Sequence, residues 1–476
     1  MISQPPEVRQ GPQLADKVLS KLSRVLGDSK VLTSEESRAA YQHDDSEAEG
    51  QLPCAVVLAN SEADIQATLA VAQDLDVPVT PRAAGTGRTG GATPVSGGIV
   101  LVTLGMNAIR EIDTREGLAV VQPGVVLKDL HAAVEAEGWF YPPDPNSLAN
   151  CALGGNVAEN AGGPRAFKYG VTRDYVLGLT ALLIGGQRLQ VGRRTIKGVT
   201  GYDVTGLLVG SEGTLAVFSE ITLALIPKPP CVTTLLALFT DVASAGACVA
   251  EMTGRARLVP RCIELLDSGT LEALRRAGNP IDARAGALLL IEVDGSETEC
   301  DAQAERVGLA CEVQGALEVL AATEPSQRER LWAARREMSY AVRRMSKRKL
   351  SEDVVVPRQC IPTLLDRVAL SASKHGIRTL TYGHAGDGNL HVNFLWDEPH
   401  EAPRVESAIR ELFENVVALR GTLSGEHGIG VLKAPYLPLE QSPELIALQR
   451  DLKRVFDPKH LLNPGKIFPP AAHRAC

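Results

Sequence analysis

The chain has 476 residues, 44% of them hydrophobic and 4% aromatic, and a formal net charge of −8. That length allows two or three domains with large cores, and the acidic balance excludes a nucleic-acid footprint. No apolar run spans a bilayer, no charged start leads into an apolar signal core, and the nine cysteines never form Cys-x2-Cys. The expectation is a soluble cytoplasmic protein, held at the inner membrane only through a partner, with no iron–sulfur or structural zinc motif of its own.

In chain order, residues 16–40 read as one polar amphipathic helix. Ala55–Leu58 is a strand. Ser61 then offers an N-cap to a helix carrying Ile65, Leu69, Ala72 and Leu75 at helical spacing. Val77–Thr80 is the next strand and runs into Pro81–Gly91. Gly85, Gly87 and Gly90 spell G-x-G-x-x-G, but Ala92–Gly98 follows with a proline and two more glycines where a dinucleotide site needs a helix. The loop is a Rossmann decoy; its small residues instead let backbone N–H groups converge on an anion such as a pyrophosphate.

Strands follow at Ile99–Leu104 and Leu118–Gln122, with a helix over Leu127–Gly138. Two Gly-Gly pairs in Cys151–Gly163 make a backbone surface suited to a planar ligand, and Leu208–Val217 enters a strand through another glycine turn. The proline cluster Ile226–Pro230 marks a domain boundary. Beyond it strands (Val232–Phe239, Ala287–Val293, Val354–Val356, Thr379–Tyr382) alternate with helices (Asp241–Thr253, Glu297–Gly308, Pro325–Met345, Ile361–His375, Val405–Leu419). That rhythm suits a ferredoxin-like cap. A helix over Leu445–Phe456 leads into the tail.

Chemistry concentrates in two clusters. His384 and His391 flank a Gly-Asp-Gly-Asn turn, and the second opens the alternation Leu390, Val392, Phe394, so His391 and Asn393 share one strand face. Ser424–Gly430 carries Glu426 and His427 between glycines. Three imidazoles and a carboxylate suffice for a divalent metal with a base beside it; Asp387, inside the turn, reads as a turn-former.

Pro81–Gly91, Pro142–Ser147, Leu153–Gly163, Lys168-Tyr169-Gly170 and Gly210–Val217 resemble the FAD-binding half of the vanillyl-alcohol oxidase / p-cresol methylhydroxylase superfamily. The two histidine clusters resemble its 2-hydroxyacid branch: D-lactate dehydrogenases, D-2-hydroxyglutarate dehydrogenases and the flavoprotein subunit of glycolate oxidase. The resemblance implies an α+β fold. It has a polar helical extension (1–33), a two-subdomain FAD-binding domain of the p-cresol methylhydroxylase type (34–228), a ferredoxin-like cap holding a metal site (229–430) and a C-terminal segment returning to the flavin domain (431–476).

By the same resemblance, Pro81, Arg82, Ala83, Ala84, Gly85, Thr86, Gly87, Thr89 and Gly90 hold the pyrophosphate of FAD. Pro143, Asp144, Ser147, Gly154, Gly155, Ala158, Asn160, Gly162, Gly163, Tyr169, Glu212, Gly213, Ile221 and Asn463 surround the rest. Ala83 and Ala84 stand where glycines are common, and the first loop has no histidine, which implies non-covalent binding. Arg335 matches the carboxylate-binding arginine, with Ser339 one helical turn on and Asn393 also at the substrate. His384, His391 and Glu426 match the metal ligands, zinc being favoured and manganese or iron fitting nearly as well; His427, beside Glu426, is the general base.

The implied reaction takes a small D-2-hydroxy acid to its 2-oxo acid, with hydride to flavin N5. Electrons then pass to an external acceptor: a quinone, an electron-transfer flavoprotein or an iron–sulfur partner subunit. A homodimer or an oxidase complex is the expected assembly. Ser351 stands where a second-carboxylate subsite would need a cation, with Glu352 adjacent and Lys349 nearby in a direction the sequence leaves open, so D-lactate or glycolate is expected over D-2-hydroxyglutarate. The rival readings are a flavin-free metal-dependent hydrolase and a non-catalytic FAD-binding subunit.

Overall fold

The computed structural model describes residues 12–469, except for the side chains of residues 12, 334, 336, 337, 339 and 340. Two helices, Pro12–Leu26 and Glu35–Ala39, replace the single helix expected over 16–40. Gly27 ends the first with φ +86°, a conformation open to glycine, and Val31–Leu32 is drawn into a sheet.

That strand is β1. With β2 (Ala55–Leu58), β3 (Val79–Arg82) and β4 (Ile99–Val102) it makes a four-stranded sheet in the order β1-β2-β4-β3. β3 lies two residues later than expected and includes Pro81, which an edge strand tolerates. The helix Glu62–Leu75 begins as expected, Ser61 accepting from the Asp64 N–H, and buries Ile65, Leu69 and Ala72 in this sheet's core. No helix follows the glycines of the first loop, so the dinucleotide reading fails in the fold as in the sequence.

β5 (Ile109–Asp113) and β6 (Leu118–Val121) begin a second sheet; β7 (Trp139–Phe140) pairs elsewhere. β8 (Val176–Leu182), β9 (Arg188–Gly192) and β10 (Val217–Ala224) complete it, all antiparallel, in the order β5-β6-β10-β8-β9, and β11 (Ile226–Pro227) pairs with β7. Leu153–Glu159, expected as a flat glycine surface, is a short helix ended by Asn160 in the left-handed region.

The remaining strands are β12 (Cys231–Phe239), β13 (Cys262–Leu266), β14 (Ala287–Gly295), β15 (Glu318–Ala322), β16 (Arg348–Val355), β17 (Arg378–His384) and β18 (Asn389–Trp396). They form one sheet, β15-β12-β14-β13-β17-β18-β16. The first four follow the ferredoxin-like order 4-1-3-2, as expected, and β17-β18-β16 is a second such unit, order 2-3-1, joined through β13 and β17. Its fourth strand is reduced to one bridge, Thr422 to Val355, after which the chain enters the Glu426-His427 loop. Helices Val242–Ala250, Glu297–Val313, Ile361–His375 and Ala402–Ala418 bury one face of the sheet. The helices Ser268–Arg276 and Pro325–Arg343 cover part of the other; the rest of that face is polar.

The tail returns to the flavin-domain sheets, as expected. Lys453 Nζ donates to the Thr214 and Leu462 carbonyls, and Leu462 bridges to Val79. Among the described residues no helix is long and apolar enough to cross a membrane.

Candidate active site

Strand register gathers the site on the polar sheet face. Glu264 lies opposite His384, Tyr382 opposite His391, and His391 opposite Asp353, so five side chains from four strands point the same way. Leu390, Val392 and Phe394 take the other face and enter the core, as their alternation implied. Asp387 forms the intervening turn, its Oδ1 accepting from Asn389 N at 3.1 Å.

Glu426 reaches this face from the loop. Its Oε1 lies 3.4 Å from His384 Nε2, 3.5 Å from His391 Nε2 and 4.0 Å from His427 Nε2. The His391 ring stands edge-on to His384 and is stacked on His427, with centroids 5.3 Å apart in each case. Burial pushes His391 down to about 3 and His427 down to about 4, leaving both imidazoles neutral, the form a metal ligand or a base requires.

The donors fit a divalent cation. Ligating atoms of His384, His391 and Glu426 lie within 4.8 Å of one another, and His391 Nε2 and Glu426 Oε2 are buried without a hydrogen-bond partner. Asp353, His391 and His427 are as close together, but Asp353 is already saturated. Its Oδ2 accepts from the backbone of Gly425, Glu426 and His427 at 2.8, 2.8 and 3.0 Å, and its Oδ1 from Asn389 Nδ2. Asp353 is the anchor of the loop.

The glycine-rich segments of the first half meet this loop. Thr89 Oγ1 donates to the His427 carbonyl at 2.9 Å, and Glu212 accepts from Ile429 N at 2.8 Å and Gly430 N at 2.7 Å. A Cβ on Gly162 would lie 3.1 Å from Glu426 Oε2, so this glycine gives the cap its close approach. Asn463 Nδ2 joins the Gly91 and Glu212 carbonyls, Pro81 packs beside Gly213, and Ala83 beside Gly155. These segments form one continuous wall against the cap.

Several expected cofactor residues are otherwise engaged. Asp144 pairs with Arg165 and accepts from its backbone N–H, latching the second Gly-Gly turn. Tyr169 donates to Asp294 of the cap at 2.8 Å, and Asn160 accepts from Arg173 N. Ile221 is fully buried in mid-sheet, with strands on both sides.

On the substrate side, Asn393 shares the site face and is buried, its Nδ2 bonded to the His391 carbonyl and its Oδ1 unpartnered. The Ser339 side chain lies outside the described residues. Arg335 is not an open fork: Glu264 Oε2 takes its Nε at 2.6 Å and pairs with its Nη2. The expectation built on Glu352 is also corrected. The pairing of Asp353 with His391 turns Glu352 to the opposite face, where it lies buried 3.9 Å from Lys433. Ser351 and Lys349 share the His391 face instead, with Lys349 Nζ 3.5 Å from Tyr382 Oη.

Sequence reasoning missed Glu264 and Tyr382, and it noted Lys349 near the site without fixing its direction. A lone acid inside Cys262-Ile263-Glu264-Leu265-Leu266 was the one available signal for the first, since an acid in an apolar strand needs a partner.

Comparison with known proteins agrees with this architecture. Residues 53–192 match the family model for an FAD binding domain, and residues 228–467 that for the C-terminal domain of FAD linked oxidases. The chain is 40% identical to glycolate oxidase subunit GlcD of Bacillus subtilis, covering 95% of this chain and 96% of that one. It is 38% identical to a D-lactate dehydrogenase of Archaeoglobus fulgidus (87% and 90% covered) and 30% identical to a D-2-hydroxyglutarate dehydrogenase of Stutzerimonas stutzeri (95% and 98%). The 4-ethylphenol oxidase of Gulosibacter chungangensis superposes with a TM-score of 0.80 at 19% identity, over 98% of this chain and 99% of that one, and so shares the fold. With an FAD-binding half, a matching cap and relatives named for hydroxy acids, the chain belongs to the FAD-linked oxidase family and is an FAD-binding oxidoreductase of 2-hydroxy acids.

Proposed function

We propose that the protein is a dehydrogenase of a short D-2-hydroxy acid, D-lactate or glycolate. The observation that carries this reading is the convergence of His384, His391, Glu426 and His427 on the cap face that meets the glycine-rich wall. FAD, bound non-covalently along that wall, supplies the hydride acceptor; a divalent cation on His384, His391 and Glu426, zinc before manganese or iron, supplies a Lewis acid for the hydroxyl.

The chain's own residues do the rest. His427 Nε2 takes the hydroxyl proton as the C2 hydrogen leaves. Burial keeps that ring neutral, and Asp353 holds its backbone in place. Arg335 meets the carboxylate with the guanidinium edge that Glu264 leaves free, and Asn393 Oδ1 is open to a substrate hydroxyl. The glycine wall excludes water from the reacting centre.

Electrons leave to an external acceptor, whether quinone, electron-transfer flavoprotein or iron–sulfur subunit, since the chain has no Cys-x2-Cys motif. The word "subunit" in the names of glycolate oxidase relatives supports assembly in a complex. One observation favours a second substrate class: Lys349, not Glu352, shares the site face, so D-2-hydroxyglutarate would find a cation for its distal carboxylate.

The test is anaerobic bleaching of the bound flavin by D-lactate, L-lactate, glycolate and D-2-hydroxyglutarate in parallel. Bleaching by D-lactate or glycolate supports the short-acid reading, faster bleaching by D-2-hydroxyglutarate moves the assignment to the dicarboxylate, and bleaching by none removes both.

A further inference from the structure

Glu264 belongs to neither histidine cluster nor to any glycine-rich segment, yet both arms of the site meet on it. It sits on β13, in the first ferredoxin-like unit, with no solvent exposure, and its register partner across the seam is His384 on β17. One oxygen, Oε1, accepts a hydrogen bond from His384 Nδ1 at 2.5 Å; the other, Oε2, accepts one from Arg335 Nε at 2.6 Å. Neither oxygen is left over for a substrate or a metal.

An imidazole tied through Nδ1–H to a buried carboxylate has its tautomer and ring plane set, and it presents Nε2 outward. Here that Nε2 faces Glu426. The same carboxylate fixes the plane of the Arg335 guanidinium, which lies over the Tyr382 ring at 5.5 Å, and that ring stands 5.6 Å from His391. Arg335 rides on the helix Pro325–Arg343, which connects the two ferredoxin-like units, so one side chain ties three elements together.

We infer that Glu264 is a positioning residue that couples the arginine at the substrate carboxylate to the metal-ligating face of His384. A change at Arg335 is therefore felt at the metal, although Arg335 touches no ligand atom. This inference rests on the proposed roles of His384 and Arg335.

The experiment uses the full-length, flavin-loaded protein, stripped of metal by a chelator and titrated with Zn2+ against a chromophoric competitor. In Glu264→Gln the zinc affinity should fall by about ten- to a hundredfold and the KM for the hydroxy acid should rise, with flavin content retained. Where that variant does not accumulate as a flavoprotein, Arg335→Met reads the clamp from its other end. Freed of its cation, Glu264 should lose its hold on His384, and zinc affinity should drop several-fold. An ion pair that merely held the two units together would lower thermal stability in both variants and leave zinc affinity at the wild-type value. That outcome, or a wild type that binds no zinc, overturns the inference. A wild type that binds zinc but is bleached by no 2-hydroxy acid removes the proposed reaction, while the zinc titrations still decide the clamp.

Discussion

Thr89 Oγ1 and the His427 carbonyl are joined by a hydrogen bond of 2.9 Å between residues 338 apart in sequence. The first belongs to the glycine loop of the flavin half, the second to the Glu426-His427 loop of the cap. Glu212 makes two further bonds of the same kind, to Ile429 N and Gly430 N. The flavin half thus shapes the loop that carries the proposed base.

Glu212→Ala should therefore act on chemistry as well as stability. It leaves two amides without partners, at about 1–3 kcal/mol each where they stay dry. Stopped-flow flavin reduction should slow by tenfold or more while substrate KM moves little. Thr89→Val, which removes one bond, should lose about 1 kcal/mol. Flavin reduction at the wild-type rate in Glu212→Ala would show that the loop holds its shape without the flavin half.

Asp353 accepts three consecutive backbone N–H groups of the Glu426-His427 loop. Asp353→Ala should be among the most damaging single changes, destabilising by roughly 3 kcal/mol or more because a buried anion and its donors are parted. Thermal unfolding checks this. Asp353→Asn, which keeps the shape but swaps an acceptor for a donor, should refold the loop poorly and lower kcat.

Chelation tests the proposed metal apart from the flavin. Dialysis against a strong chelator should abolish substrate-driven bleaching yet leave the flavin spectrum intact, and Zn2+ or Mn2+ should restore it. His391→Ala should show the same spectrum with no restoration, since its Nε2 is one of the buried unpartnered donors. Full activity at undetectable metal content would exclude a metal role for this triad.

Lys349→Met reads substrate class. The substitution removes a charge-assisted contact worth about 1.5–3 kcal/mol, so KM for D-2-hydroxyglutarate should rise by roughly ten- to a hundredfold. The KM values for D-lactate and glycolate should change less than twofold. Equal effects on all three would mean that Lys349 serves the shared carboxylate.

Features carried by local backbone chemistry were legible in the amino-acid order alone. Glycine spacing marked the loops that come to lie against the cap, His384-x6-His391 marked a turn between two strands, and the βα rhythm after Pro230 marked a ferredoxin-like cap. Each depends on a few residues and on a period of 2 or 3.6. Strand register was not legible, because it is set by pairing across long separations. A slip of one residue reverses every side chain, and so Glu352, adjacent to Asp353, faces Lys433 while Lys349 faces the site. The same holds for Glu264: within its strand it is one acid among apolar neighbours, and only the pairing of β13 with β17 sets it against His384 and Arg335. The parts of the site were written locally, and their convergence was decided by sheet order, since a buried charge takes whichever partner the fold brings to it.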